Sequence, residues 1–228
     1  MAGLNVQGPL SPEQVLDAAK RRAVEVQAPV VGQGQFYLAG GTALALQLGH
    51  RRSRDLDWFT PVAFDEPSLV RALQSLSVAP TAVEHSAKHT VRAFYGELET
   101  SFIRFSAIAA RSTVVEVGAV RLPVADIATI AAMKAGAIVQ RGAKRDFVDV
   151  DAITRSPGWS MERFVDNAGQ KIKLLPAQLY LGLTYFADAE KQPMPDGARD
   201  SWEAVKRSLV DQVGALQRRR TRGPDMDR

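Results

Sequence analysis

One short segment, residues 38–60, constrains this chain more than any other part of it. It reads Leu-Ala-Gly-Gly-Thr-Ala-Leu-Ala-Leu-Gln-Leu-Gly-His-Arg-Arg-Ser-Arg-Asp-Leu-Asp-Trp-Phe-Thr. A short β-type run, Phe36–Ala39, ends at a Gly-Gly-Thr turn, and an apolar helix-like stretch and a polar connector follow. The pair Asp55 and Asp57 then precedes two aromatic residues. The segment therefore predicts a strand, a tight turn, a helix and a second, acidic strand.

The two acids of this segment are candidate metal ligands. In an extended chain, residues two apart point to the same side, so Asp55 and Asp57 would be neighbours while Leu56 points into the core. Two adjacent carboxylates repel each other unless a cation lies between them. Mg²⁺, or Mn²⁺ in its place, suits such a pair because it takes oxygen ligands and completes its shell with phosphate oxygens.

The turn before the helix is a candidate phosphate site. Gly40 and Gly41 allow the backbone to approach a phosphate closely, and the N–H groups that open the next helix favour an anion. Taken alone, an Asp-X-Asp pair also suits a surface salt bridge, and Gly-Gly-Thr also suits a plain strand-to-helix turn. Their ordered combination is more selective and predicts a metal–nucleotide site.

Composition sets the class of protein. Hydrophobic residues make up 46% of the 228 residues and charged residues 24%, as in ordinary soluble globular proteins. Cysteine is absent, which excludes disulfides, zinc–thiolate sites and thiol nucleophiles. The N-terminus lacks the pattern of a signal peptide, and the longest apolar run, Ile127–Val139, is interrupted by Lys134 and too short to span a bilayer. We therefore expect a cytoplasmic protein with no membrane partner.

The pattern of elements predicts an α+β fold. A helix should open at Ser11-Pro12 and run to about Val26, and Pro123 should end the β region, after which nearly everything is helical. Another helix should start at Asp65-Glu66-Pro67. The remaining β-type segments are Thr81–Glu84, Thr90–Tyr95, Leu98–Phe105 and Val114–Leu122, the last broken at Gly118; the later helices are Asp126–Gln140, Lys144–Thr154, Ser160–Ala168, Pro176–Ala189 and Ala198–Arg220.

A second group of charged residues lies in the helical part. Lys134 falls on an apolar helical stripe with Arg141 seven residues on, so it is either a snorkelling lysine or a cation held toward a triphosphate. On an apolar face its removal should cost little stability. Asp146 and Asp149, at i and i+3, share a helix face, and simple capping with an Arg145–Asp149 pair would also explain them.

The strand–Gly-Gly-Thr–helix–Ser-X-Asp-X-Asp order, with the later Met-Lys-Ala…Arg-Gly-X-Lys-Arg-Asp-Phe-X-Asp pattern, resembles the AbiEii/AbiGii-type nucleotidyltransferase toxins. The match covers Phe36–Thr60 and resumes at Asp126–Ile153. The resemblance implies a nucleotidyltransferase core with a polymerase-beta-like mixed sheet over residues 1–122, followed by a helical region, residues 123–228, that completes the active site.

The resemblance also implies roles for individual residues. Lys134 would bind phosphate and assist the leaving pyrophosphate, Arg145 would help to bind the nucleotide, and either Asp146 or Asp149 would be the distal acid. Contacts to phosphate would come from the glycine turn at Gly40 and Gly41, from Thr42 and from Ser53. Many members of the superfamily carry a third metal-binding carboxylate on a later strand; Glu99 is the candidate here, although a solvated glutamate is the alternative.

The charge distribution indicates a polyanionic substrate. The net charge is only +4, but Arg51, Arg52 and Arg54 surround the acid pair. A second basic run, Arg218–Arg220 with Arg222, closes the chain, and as a terminal block of like charge it could equally be a disordered tail. We expect the arginines beside the acids to contact RNA more than the terminal run does.

The main functional hypothesis is a nucleotidyltransferase that uses Mg²⁺ to transfer NMP from an NTP to a hydroxyl. The resemblance points to the 3′ end of tRNA as the acceptor, to a toxin that blocks translation, and to a cognate antitoxin. Two alternatives remain: transfer of NMP or of a phosphoryl group to a protein, and a nucleotide- or RNA-binding regulator without turnover.

Overall fold

The computed structural model describes residues 10–106, 108, 112–117 and 120–222. The chain forms two compact units: the described residues of the first run to Ile130, and those of the second begin at Ala131. Within the described residues, no helix is long and apolar enough to cross a membrane. The predicted functional domains, 1–122 and 123–228, stay a prediction.

The first unit is built on one sheet, in which seven strands are described, in the order β3-β4-β5-β2-β1-β7-β6. Two neighbouring pairs, β2–β5 and β1–β7, are parallel, and the other four pairs are antiparallel. The sheet is therefore mixed, which confirms the predicted α+β class. The strands are β1 (Tyr37–Ala39), β2 (Leu56–Thr60), β3 (Ala82–Ala87), β4 (Thr90–Tyr95), β5 (Leu98–Arg104), β6 (Ser112–Val117) and β7 (Val120–Ala125).

One face of the sheet forms the core of this unit. Leu56, Trp58 and Phe102 point to this face and are fully buried. Gln27 accepts a hydrogen bond from Trp58 Nε1 at 2.7 Å and donates one to Thr100 Oγ1 at 3.2 Å, so the buried polar atoms satisfy one another. The helices of this unit are α1 (Pro12–Val15), α2 (Ala18–Gln33), α3 (Gly40–Leu48) and α4 (Glu66–Gln74).

Two predicted boundaries in this unit were wrong. The helix expected from Ser11 to Val26 is two helices, because the Asp17 side chain accepts a hydrogen bond from the Lys20 N–H at 2.9 Å and starts α2 anew. Pro123 does not end the β region: it lies within β7 and pairs with Val114 of β6, the outermost strand. The predicted break at Gly118 lies outside the described residues.

The described residues of the second unit are mainly helical. Its core includes Phe147, Phe186 and Trp202, whose ring centroids lie 5.1–5.8 Å apart. The helix predicted at Pro176–Ala189 is interrupted at Tyr185 and Phe186, where the Phe186 ring packs on the other two rings. Helix α5 (Ile127–Gln140) leads into this unit, and α6 (Lys144–Thr154), α7 (Met161–Ile172), α8 (Pro176–Thr184), α9 (Ala187–Glu190) and α10 (Trp202–Arg222) follow.

Candidate active site

Strand β2 presents the acid pair as its sequence predicts. Leu56 and Trp58 are fully buried, whereas Asp57 and Phe59 between and after them are only half-buried. Asp55 immediately precedes the strand and is also half-buried. The alternation therefore sends Leu56 into the core and keeps both carboxylates off the core face.

The turn at the start of α3 lies directly against Asp57. Ala39 at the end of β1 pairs with Asp57, and Gly40 follows with a positive φ of +67°. A Cβ atom at Gly40 would lie 2.6 Å from Asp57 Oδ2. Both the backbone conformation and the close carboxylate therefore require glycine at this position. Ala39, the N-cap of α3, offers no side-chain cap to the N–H groups of this first turn.

The connector between α3 and β2 folds back onto the same turn. Thr42 Oγ1 donates a hydrogen bond of 2.5 Å to the Asp55 carbonyl oxygen. A Cβ atom at Gly41 would lie 2.4 Å from Arg51 Nη2 and 3.0 Å from Ser53 Oγ. The glycine turn, Ser53 and the acid pair are thus brought together by local contacts, as the order of motifs predicts.

The three arginines of the connector differ in burial. Arg52 and Arg54 are exposed, but only 3% of Arg51 is accessible, and its Nη1 donates a 2.7 Å hydrogen bond to the Arg52 carbonyl oxygen. The interpretation of Arg51 as a surface contact for RNA was therefore wrong. No sequence signal separates Arg51 from its neighbour Arg52, because the difference in burial arises in the folded chain, where the Arg51 guanidinium lies against Gly41.

Strand β5 places a serine beside the acid pair. Asp57 pairs with Ser101, while Glu99 lies two residues earlier, with its Oε1 3.4 Å from Arg92 Nε. Among the described residues there is no group of three or more His, Cys, Asp or Glu side chains that could hold a metal ion. Asp55 and Asp57 nevertheless fit Mg²⁺, because this ion is commonly held by one or two carboxylates together with substrate phosphates and water.

The second unit contains a buried cluster of opposite charges. Gly142, with φ +51°, turns the chain from α5 into α6 and lets Lys134 reach two aspartates. Lys134 Nζ lies 2.9 Å from Asp146 Oδ1 and 2.6 Å from Asp149 Oδ2. Arg141 also donates to both oxygens of Asp146, at 2.9 and 3.1 Å. Both aspartates are fully buried.

Electrostatics keep Asp146 ionised in this cluster. Burial alone would raise its pKa, but the charge of Lys134 and the hydrogen bonds from Arg141 and Lys134 hold the pKa of Asp146 below its ordinary value. The Lys134 side chain is only 7% exposed, so it does not snorkel to solvent. Arg145, the predicted nucleotide contact on the same helix, is exposed.

The C-terminal arginines continue a helix rather than a disordered tail. Helix α10 extends to Arg222, and Arg220 Nη2 lies 2.6 Å from Asp166 Oδ1 of α7. Arg218 and Arg219 are exposed on the same helix. This run is therefore an ordered basic surface at the end of the second unit.

Comparison with known families settles the class of protein. The model of the nucleotidyltransferase AbiEii toxin family, of the type IV toxin–antitoxin systems, matches residues 28–222. This chain belongs to that family. AbiEii membership makes it a nucleotidyltransferase and the toxin of a toxin–antitoxin system, which implies an NTP substrate and an antitoxin partner.

Individual relatives agree with this assignment. An uncharacterized protein of Aquifex aeolicus is 32% identical over 196 residues, which cover 84% of this chain and 92% of that protein. Among solved structures, MenT4, a nucleotidyltransferase toxin from Mycobacterium tuberculosis H37Rv, is 18% identical, with a TM-score of 0.58 and coverage of 92% of this chain and 87% of MenT4. JHP933 from Helicobacter pylori is 15% identical, with a TM-score of 0.50 and coverage of 93% and 96%. At these identities the two structures show the fold alone.

Proposed function

We propose that this AbiEii toxin transfers NMP from an NTP to a hydroxyl of an RNA, the 3′ end of a tRNA, in a reaction that depends on Mg²⁺. One observation carries the proposal: the acid pair at the start of β2 lies against a glycine turn with no room for a side chain between them. A Cβ atom at Gly40 would lie 2.6 Å from Asp57 Oδ2. The arrangement leaves backbone N–H groups and carboxylates side by side, as binding of a metal–triphosphate requires.

Asp55 and Asp57 are the proposed ligands of the metal. A bound Mg²⁺, or Mn²⁺, would polarise the α-phosphate and stabilise an in-line displacement. The carboxylates supply the hard oxygen ligands, and the half-burial of both residues leaves them accessible to substrate oxygens. The fixed contact between Thr42 Oγ1 and the Asp55 carbonyl would hold the start of β2 in place during the reaction.

The turn residues would hold the phosphates. The N–H groups of Gly40, Gly41 and Thr42 begin α3, where the helix dipole favours an anion. Ser53 Oγ, on the connector that covers this turn, would add a hydroxyl donor. Because the Thr42 hydroxyl already donates to the Asp55 carbonyl, we assign the phosphate contact of Thr42 to its backbone N–H.

The buried cluster of the second unit carries the remaining proposed roles. Lys134 would stabilise charge that develops on the leaving pyrophosphate, Arg145 would contact the nucleotide, and Asp146 or Asp149 would be the distal acid. The two aspartates orient the Lys134 ammonium, at 2.9 and 2.6 Å. Such preorganisation is what electrostatic stabilisation of a transition state requires.

An RNA acceptor is favoured by the exposed basic residues. Arg52 and Arg54 lie on the connector that leads to the acid pair, so they are placed to meet phosphates next to a reacting hydroxyl. Addition of nucleotides at a tRNA 3′ end would block translation in the cytoplasm, which would make the enzyme a toxin. A cognate antitoxin would then be the partner that relieves this block.

A labelling experiment tests the proposal. The purified chain is incubated with Mg²⁺, total RNA and each NTP in turn, labelled either at the α- or at the γ-phosphate. Label from the α-phosphate in tRNA, absent with EDTA and with Asp57→Asn, is the expected result. Label from the γ-phosphate would indicate phosphoryl transfer, label in protein would indicate a protein acceptor, and no label with any NTP would indicate a binding protein without turnover.

A further inference from the structure

We infer that Arg51 is a positioning residue for the NTP: it fixes the phosphate-binding turn and keeps its electrostatic potential positive from beneath the surface. This inference rests on the proposed function of the same site. The inference gives Arg51 a different role from Arg52 and Arg54, although all three are arginines of the same connector. Arg51 is buried, whereas Arg52 and Arg54 are exposed.

The position of the Arg51 guanidinium carries the first part of the inference. Its Nη2 occupies the space that a side chain at residue 41 would take, since a Cβ atom there would lie 2.4 Å from it. Gly41 is in the first turn of α3, among the N–H groups that are the proposed phosphate donors. The guanidinium therefore packs directly against the backbone that would bind the triphosphate.

The hydrogen bond of the Arg51 guanidinium supports the second part of the inference, that Arg51 holds the connector against the turn. Arg51 Nη1 donates to the Arg52 carbonyl oxygen at 2.7 Å, which fixes the guanidinium to its own connector. The same connector brings Ser53 Oγ over Gly41, where it would lie 3.0 Å from a Cβ atom at that position. Arg51 thus joins the α3 turn to the connector that leads to Asp55. Removal of its guanidinium would loosen both the turn and the approach to the acid pair.

Burial decides how Arg51 acts. With 3% of its surface accessible and its Nη1 bound to the Arg52 carbonyl oxygen, Arg51 offers little surface to an incoming RNA. A positive charge at this depth is screened less by solvent and salt than a surface charge, so it acts strongly on an anion at the adjacent turn. Arg51 should therefore affect the affinity for the NTP and leave the affinity for the acceptor unchanged.

The test measures NTP binding and turnover in matched variants. Binding of the four α,β-methylene nucleoside triphosphates with Mg²⁺ is measured for the wild-type chain, Arg51→Met, Arg51→Lys and the control Arg22→Met, which changes an exposed arginine of α2, together with thermal unfolding of each. We expect Arg51→Met to raise the Kd about tenfold or more. Arg51→Lys should recover most of the affinity because it keeps the charge, and Arg22→Met should bind as the wild type does. Steady-state assays should show the change in the KM for NTP but not in the KM for the RNA acceptor.

A double-variant comparison tests the same contact if Arg51→Met does not fold. Gly41→Ala places a methyl group where the guanidinium lies, so it should weaken NTP binding while Arg51 is present. Gly41→Ala combined with Arg51→Ala should be no worse than Arg51→Ala alone, because the shorter side chain removes the clash. If the effects of Gly41→Ala and Arg51→Ala on the free energy of NTP binding simply add in the double variant, the inferred contact is overturned.

The outcomes separate this inference from the proposed function. Wild-type chain that binds none of the four analogues would overturn the proposed function and this inference with it. Wild-type binding together with equal Kd values for Arg51→Met and Arg22→Met would overturn the role of Arg51 alone. An unchanged Kd in folded Arg51→Met with a lowered unfolding temperature would also overturn it, since Arg51 would then be purely structural.

Discussion

The two groups of aspartates in this chain are held in opposite ways. Asp55 and Asp57 are half-buried at the start of β2, next to the glycine turn that begins α3. Asp146 and Asp149 are fully buried and bind the ammonium of Lys134 between them. A carboxylate that must bind a metal–triphosphate has to stay accessible, whereas a buried carboxylate must be neutralised within the fold. The accessibility of the first pair therefore suits the proposed reaction, and the second pair is also part of what holds its unit together.

The largest expected effect is the loss of NMP transfer when either aspartate of the first group is replaced. Asp55→Ala or Asp57→Ala should lower NMP transfer by about a thousandfold or more, on the scale of losing essential electrostatic stabilisation. Folding should be nearly unaffected, because each change relieves repulsion between half-buried carboxylates. Transfer assays and thermal unfolding are measured together, with Glu97→Gln, which changes an exposed acid just before β5, as the control. Near-normal transfer by either aspartate variant would remove the metal assignment.

Removal of Lys134 should instead destabilise the protein. Lys134→Ala leaves two buried aspartates without their ammonium, and breaking a buried ion pair costs about 3–5 kcal/mol. The sequence alone predicted a small effect on stability, because the two partners on α6 are not evident from the apolar stripe of α5. Urea unfolding measures the decrease in the free energy of unfolding.

A compensating variant sharpens this prediction. Lys134→Met combined with Asp146→Asn and Asp149→Asn removes the buried ammonium and both buried carboxylates together, so it should recover much of the stability. Transfer should stay low in this variant, because the proposed cation is absent. If Lys134→Ala alone has the same urea midpoint of unfolding as the wild type, the ion pairs of Lys134 do not stabilise the second unit.

Sequence reasoning succeeded where the signal is local. The alternation of β2 and the glycine turn follow from neighbouring residues, and both are seen in the structure. It failed where the decisive contacts come from elsewhere: Arg51 and Arg52 are identical neighbours, yet Arg51 is buried, with its guanidinium against Gly41, and Arg52 is exposed. Likewise, no pattern within α5 shows that Lys134 meets Asp149, because the positive φ of Gly142 sets the direction of α6. The extra helix start at Asp17 is a local cap that the apolar pattern conceals.

The pH dependence of stability should distinguish two buried acids on the same helix. The pKa of Asp146 is held below its ordinary value of 3.8, so Asp146 stabilises the fold above that value, and this contribution disappears as the pH falls through the lower folded pKa. Burial raises the pKa of Asp151, against the hydrogen bond from Ser208 and the charge of Arg155. The contribution of Asp151 is therefore present below 3.8 and disappears as the pH rises through the raised pKa.

Matched asparagine variants measure this difference. The free energy of unfolding is followed from roughly pH 3 to pH 7 for the wild type, Asp146→Asn and Asp151→Asn. The stability of the wild type relative to Asp146→Asn should increase with pH, and its stability relative to Asp151→Asn should decrease. The same sign for both variants would mean that Lys134 and Arg141 do not keep Asp146 ionised.

The smallest expected effect is on the salt dependence of RNA binding, and it differs between the two basic surfaces. Arg52 and Arg54 lie on the connector to the acid pair, whereas Arg218 and Arg219 are exposed on α10. Neutralising one arginine that binds a phosphate should reduce the slope of log affinity against log salt by about 0.7 for single-stranded RNA. Arg52→Ala with Arg54→Ala should therefore flatten the slope by about 1.4 if both bind phosphate. Arg218→Ala with Arg219→Ala, which removes the same charge, should flatten it less, because these residues are not part of the connector that leads to the proposed metal ligands.

Binding of tRNA is measured by fluorescence anisotropy at several salt concentrations. The reverse ranking would make α10 the principal RNA surface, and no change in either variant would remove nucleic acid from the acceptors of this site.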